Sequence, residues 1–286
     1  MKIYPIEAGN FKLDGGAMFG VVPKALWQKT NPADKNNMIN IGSRCMLIED
    51  GKRLVLIDVG MGDKQPKKFF DYYYKWGEFS LKSSIEKAGF SCDEITDVFF
   101  THLHFDHCGG GVVRDNNKTF FKLFFKNARY WSNERHWNWA IKPNAREKAS
   151  FLEENLFPID SSGSLNFVAD HSSGFEYKPE LGFDVLFVDG HTEKQMIPRI
   201  NYKNKTLIFA ADLIPTAGHI PVSYVMGYDT RPLLTMSEKA LFLKEAADND
   251  YYLFLEHDAH NEVVSLKNTE KGVRLDKVFK FNDLFN

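Results

Sequence analysis

The feature that most constrains this chain is Thr101-His102-Leu103-His104-Phe105-Asp106-His107-Cys108-Gly109-Gly110, with three imidazoles and one carboxylate in six residues. It follows Asp97-Val98-Phe99-Phe100 directly, a largely apolar run that reads as a buried strand. A fold that accommodates both must end a buried strand in a loop carrying His102, His104, Asp106 and His107. Strand alternation puts His102 and His104 on the same side of the local chain, and the turn brings Asp106 and His107 around. Imidazole and carboxylate at this density are metal donors, suited to zinc and also to cobalt, iron or manganese. A solvated histidine-rich loop would run into a polar tract, whereas this one enters Gly109-Gly110-Gly111.

Other strand ends repeat the pattern. Strands are expected over Val185–Val188, Thr206–Ala210 and Tyr251–Leu255, and they lead into Asp189-Gly190-His191, Ala211-Asp212 and Glu256-His257. Arg44–Ile48 and Arg53–Asp58, separated by Glu49-Asp50-Gly51-Lys52, predict a hairpin that closes in Asp58-Val59-Gly60-Met61-Gly62. Those glycines lack the spacing and the lysine of a phosphate-binding loop. Leu81, Ile85 and Ala88 recur at helical spacing within Ser80–Ala88, and Gly89 is a stop. Further strands are expected over Phe120–Phe125, Ala128–Trp131 and Phe167–Ala169. Residues 135–155 read as mostly helical, with Trp137, Trp139 and Phe151 divided between core packing and the mouth of a site. Ser237 is a candidate cap for a helix containing Ala240, Leu241, Lys244, Glu245 and Ala247. Ligand-bearing strand ends imply two sheets that share one catalytic edge, with helices outside, in a single α/β domain over 1–286.

Composition narrows the classes of partner. The net charge is −2 with 26% charged residues of both signs, which favours neither a nucleic-acid nor a membrane surface. The apolar runs are too short to span a bilayer. Cys45, Cys92 and Cys108 are odd in number and widely spaced, and the N-terminus meets Glu7 and Gly9 before any secretory apolar core. The expectation is a cytoplasmic enzyme with free thiols. With 25 Phe, 11 Tyr and 5 Trp, aromatics remain for an apolar pocket or a homodimer interface once the core is filled.

The ordered set His102-Leu103-His104-Phe105-Asp106-His107, Asp189-Gly190-His191, Ala211-Asp212 and Glu256-His257 resembles the metallo-β-lactamase-fold hydrolases. Within them it is closest in appearance to the dinuclear N-acyl homoserine lactonase and methyl parathion hydrolase branch. The resemblance spans most of the chain and implies a four-layer αββα sandwich. It implies two divalent ions, taken as Zn2+, with His102, His104 and His191 on one and Asp106, His107 and His257 on the other. Asp212 would bridge the pair, and Asp106 and Asp212 would be the catalytic carboxylates. Asp58 resembles the family's buried aspartate after the early hairpin, which orients a ligand histidine. Two such cations lower the pKa of water and stabilise charge developing on a substrate oxygen.

The substrate is less constrained. Family lactonases commonly carry a tyrosine three residues after the bridging aspartate, and here that position is Pro215, which has no donor. His219, Tyr224 or Tyr228 would have to supply one. An apolar tail would lie along Met18, Phe19, Leu213 and Ile214. The expected substrate is a small apolar-tailed lactone or ester, with N-acyl homoserine lactone the leading case. An organophosphate triester is the closest alternative, and a mononuclear iron sulfur dioxygenase is the alternative outside hydrolysis. His136, His171 and His260 have no ligand pattern around them.

Overall fold

The computed structural model describes residues 1–115, 117, 119–171 and 173–285. They group into two compact units, each discontinuous in sequence: 1–10, 43–171 and 180–182 in the first, and 11–42, 173–179 and 183–285 in the second.

The first unit is built on a six-stranded sheet in the order β1 (Lys2–Asp14), β2 (Met38–Glu49), β3 (Leu54–Ile57), β4 (Asp97–Phe99), β7 (Arg129–Ser132), β8 (Leu165–Phe167). The expected hairpin forms, with Met46 opposite Ile57 and Glu49 opposite Leu54. From β3 onward the strands run parallel, which suits strands as uniformly apolar as Leu54-Val55-Leu56-Ile57. A short hairpin, β5 (Val112–Arg114) and β6 (Phe121–Leu123), lies outside that sheet. The helices are α3 (Lys67–Phe70), α4 (Leu81–Lys87), α5 (Phe105–Cys108), α6 (Glu134–Ile141) and α7 (Glu153–Ser161). Ser80 caps α4, its side chain accepting from the Ser83 amide, and Leu81 and Ile85 face inward as their spacing requires. Cys45, Leu56, Val98, Phe100, Leu103 and Trp137 join one buried cluster, and Phe151 completes it.

Two expectations are corrected in this unit. The helix read over 135–155 is broken into α6 and α7. Pro143 has no amide to continue the ladder, and Lys142 before it leaves the helical region at φ −129°, ψ 61°. The strand read over Phe167–Ala169 sits two residues earlier, and the Val168 amide is given to the Ser132 carbonyl.

The second unit carries a seven-stranded sheet in the order β15 (Arg274–Phe279), β14 (Val263–Lys267), β13 (Tyr252–Phe254), β12 (Lys205–Phe209), β11 (Gln195–Tyr202), β10 (Phe183–Val188), β9 (Glu176–Lys178). It is antiparallel except for β12 and β13. That one parallel pair requires a crossover, supplied by α8 (Pro232–Asp248). Short helices α1 (Gly15–Phe19) and α2 (Lys24–Trp27) precede it in the chain, and α9 (Phe281–Phe285) ends it. Ser237 is not a cap. It lies inside α8, where its hydroxyl donates to the Leu233 carbonyl, and the helix starts at Pro232, whose missing amide costs nothing at a first helical position. No helix among the described residues is long and apolar enough to cross a membrane.

The strand-end loops depend on close backbone approaches. A Cβ on Gly110 would lie 2.1 Å from the Val59 carbonyl oxygen, and one on Gly109 would lie 2.3 Å from that of Met61. Both obstacles are main chain and cannot swing aside. Gly110→Ala is therefore expected to lower unfolding free energy by about 1–3 kcal/mol. A denaturant titration giving a wild-type midpoint would show that this approach is not required.

Candidate metal centre

In the first unit, β4 delivers the chain into Thr101–His104 and then α5, and Asp58 fixes that loop from the end of β3. Asp58 is fully buried and left-handed at φ +55°, a conformation aspartate tolerates better than most residues. Its carboxylate accepts from the Thr101 amide at 2.8 Å, the Thr101 hydroxyl at 2.6 Å and His107 Nδ1 at 2.9 Å. Main-chain bonds from Asp58 to the Phe99 carbonyl and from Val59 to the His107 carbonyl close the arrangement. His136 acts on the same loop, its Nε2 accepting the Leu103 amide at 2.8 Å. The role is structural, and its neighbour Phe151 also packs on His104, with ring centroids 4.9 Å apart.

His102 and His104 do lie on one side, as alternation requires, with His102 Nε2 and His104 Nδ1 3.0 Å apart. Two nitrogens on one tetrahedral zinc would stand about 3.3 Å apart. The opposite ring nitrogens face oxygens: His102 Nδ1 meets the Thr101 hydroxyl at 3.1 Å, and His104 Nε2 meets Glu147 at 3.4 Å. Glu147 is itself held by Trp139 Nε1 at 2.7 Å and the Asn144 side-chain amide at 2.5 Å. Asp106, one residue before His107 on α5, lies close enough to Tyr73 to act on its phenol. Burial first, and then the Asp106 charge, push that phenol up to about 12.

The second unit gathers His191, Asp212 and His257. Asp212 places Oδ2 3.1 Å from His191 Nε2 and Oδ1 3.1 Å from His257 Nε2. The far nitrogens are again engaged, His191 Nδ1 by Asp229 at 2.9 Å and His257 Nδ1 by the Gly42 carbonyl at 2.8 Å. The loop before His191 is seated on α8, where Glu238 accepts the Asp189 and Gly190 amides at 2.7 and 2.9 Å. Gly190 is required there, since a Cβ would lie 2.4 Å from the Thr235 amide nitrogen. Burial works against a charge on His191, but Asp212 and Asp229 overcome it and hold the imidazolium up to about 10.

The donor chemistry fits a metal. In each of these histidines an oxygen partner engages one ring nitrogen, which leaves the other as the atom that could meet a metal ion. Glu147, Asp229 and the Gly42 carbonyl, which do this for His104, His191 and His257, are absent from the sequence reading. Nothing in their local pattern marks them.

The residues read as a substrate pocket are placed differently. Met18, Phe19, Leu213, Ile214 and His219 are all buried, and Tyr224 is half-buried. Phe19 stacks between His219 at 4.2 Å and Trp27 at 5.3 Å. His219 shares hydrogen bonds with the Thr216 hydroxyl at 2.8 Å and the Met18 carbonyl at 2.9 Å, so both ring nitrogens are engaged inside the protein. Burial pushes it down to about 3, and it stays neutral. It is a structural histidine, not a donor to substrate. His171 and His260 are exposed, and the described cysteines are all free.

Two outcomes follow from this geometry. Asp58→Asn should weaken metal binding about 10- to 100-fold, because an amide cannot serve both Thr101 donors and the His107 ring. Competition against a chromophoric chelator measures this, and unchanged affinity in a folded variant would remove Asp58 from the centre. Because the metal-free His191 is protonated below about pH 10, ligation at neutral pH must displace its proton. Apparent affinity should therefore rise about tenfold per pH unit between pH 7 and 9 for each displaced proton; a flat profile would refute the displacement.

Residues 40–113 match the Metallo-beta-lactamase superfamily. An N-acyl homoserine lactonase of Bacillus cereus is 22% identical over 186 residues, covering 61% of this chain and 68% of its own. Among solved structures, a probable metal-dependent hydrolase from Staphylococcus aureus superposes with a TM-score of 0.84 at 26% identity, covering 98% of each chain. AidC, a dizinc quorum-quenching lactonase crystallised with a product, gives 0.76 at 23% identity over 97% of this chain and 95% of its own. The chain has the metallo-β-lactamase fold, its residues 40–113 match the superfamily of that name, and it is a metal-dependent hydrolase.

Proposed function

We propose that this enzyme opens lactone rings, with N-acyl homoserine lactones as its substrates, at a centre of two divalent ions, taken as zinc. His102, His104 and His191 would hold one ion and Asp106, His107 and His257 the other, with Asp212 shared. The observation that carries the reading is Asp212, whose two oxygens stand 3.1 Å from two different histidines. A carboxylate serving one ion has no need to divide itself this way. Two bound ions would supply a nucleophilic hydroxide from water at neutral pH and polarise the substrate carbonyl.

The chain's own residues do the rest. Asp106 sits on a helix turn locked by Asp58 and takes the proton given up by the attacking water. The new bond joins the water oxygen to the carbonyl carbon, the ring C–O bond breaks, and the leaving oxygen is protonated to give a hydroxy acid. Tyr73, beside Asp106, replaces the donor that Pro215 lacks, and its phenol stays protonated well above neutral pH. Half-buried Phe69 and Tyr73 pack on Phe105 with ring centroids 5.3 and 4.9 Å away. This aromatic wall beside Asp106 suits an acyl tail better than the buried Met18–Phe19 segment does.

A matched series of acyl homoserine lactones tests the reading. Each additional buried methylene contributes about 0.8 kcal/mol, or roughly fourfold in kcat/KM while the wall is being filled. Tyr73→Phe should lower kcat and leave the short-to-long tail ratio intact. An aryl phosphotriester hydrolysed more efficiently than every lactone would overturn the substrate assignment. Full activity with one ion per chain would overturn the centre itself.

A further inference from the structure

The first unit contains a cavity of about 850 Å³ that the proposed hydrolysis does not use. It lies among the loop at Asp63–Pro66, the β5–β6 hairpin and Lys126. Its volume is that of a small-molecule site. Its charges are unevenly committed. Lys126 is paired with Asp93 at 2.7 Å, and Asp115 is turned onto the amides of Asn117, Thr119 and Phe120. Among the described residues Arg114 donates through Nε to the Lys64 carbonyl at 2.9 Å, while its guanidinium lies 4.7 Å above the Phe121 ring. Lys122, opposite Val113 in the hairpin, makes no close ion pair among the described residues, although its charge helps hold the Asp115 carboxyl low. At the inner wall the buried Gln65 has a side-chain NH2 with no hydrogen-bond partner.

We propose that this cavity is a binding site for a small oxyanion, a phosphate or a carboxylate. The planar fork of Arg114 and the Lys122 ammonium supply charge-assisted donors, and Gln65 adds a neutral one. The buried Lys64 ammonium contributes from beneath while its Nζ donates to the Gly109 carbonyl. Burial pushes Lys64 down to about 8, a cost that a bound anion offsets. Gly109 directly follows α5, which carries Asp106 and His107, so the ligand acts on the segment that holds those residues. The site is independent of which ester the enzyme cleaves.

The experiment is calorimetric titration of metal-loaded protein with inorganic phosphate and, separately, with acetate, alongside Arg114→Gln/Lys122→Gln. One anion or both should bind the wild type, with the double variant weaker by about a hundredfold or more, since two charged donors are lost. The tighter arm identifies phosphate or carboxylate as the source. In parallel, the Gln65 side-chain amide resonances should move on anion addition to the wild type. No binding of either anion would overturn the proposal. So would binding of equal strength in the double variant, because it would place the anion elsewhere, such as among the metal ligands.

Discussion

The chain leaves β3 through a left-handed aspartate, and the carboxylate aimed inward by that turn holds the loop on which the first donor cluster depends. Asp58 gathers two donors from Thr101 and one from His107 while fully excluded from water. Hydrogen bonds to a charged group contribute about 1.5–3 kcal/mol each, so these donors together rival a sizeable part of a domain's net stability. Without them a buried polar group at this depth would be strongly destabilising. The same bonds set the fold and the chemistry: Thr101 anchors the entrance of the loop, and the His107 contact leaves Nε2 as its ligand atom. Close packing of Gly109 and Gly110 on the carbonyls of Met61 and Val59 then denies the loop an alternative path.

The second unit solves the same problem with different parts. His191 is backed by a carboxylate from the segment before α8, and His257 by a main-chain carbonyl at Gly42. A carbonyl fixes a tautomer as well as a carboxylate does but adds no full charge. His191 is therefore flanked by two carboxylates, Asp212 and Asp229, whereas His257 faces Asp212 on one side and a main-chain carbonyl on the other.

What could be read from the residues reflects distance along the chain. His102, His104 and His107 share a loop with Asp106, and strand alternation suffices to place the first two together. His191, Asp212 and His257 each follow a strong strand pattern, so their location at strand ends was also legible. The hairpin that Asp58 closes was legible, while its role toward a histidine came only from the family resemblance. The partners of His104 and His191 were not legible. Glu147 is 43 residues from His104, in an irregular stretch opened by Pro143, and Asp229 is 38 residues from His191, in a loop without periodicity. The Gly42 carbonyl is main chain and carries no side-chain signature at all. Helix boundaries failed where proline chemistry competed with periodicity: Pro143 broke one helix, and Pro232 started another ahead of the serine that resembled a cap. Apolar residues near glycine were read as a pocket because burial in a core and burial under a ligand have the same composition.

The placement of carboxylates also explains why the centre and the fold are coupled. In the second unit Asp212 and Asp229 bracket a buried imidazole, and in the first Asp58, Asp106 and Glu147 lie around three more. A hydrophobic interior tolerates such a concentration of acid only with positive charge beside it. In the second unit protonated His191 supplies that charge in the metal-free chain. A divalent ion would supply twice that charge and displace the proton on His191. The strand-end loops have little regular secondary structure of their own: α5 is four residues long, and Asp212 lies in a single turn of three. Their order rests on side-chain oxygens more than on backbone ladders.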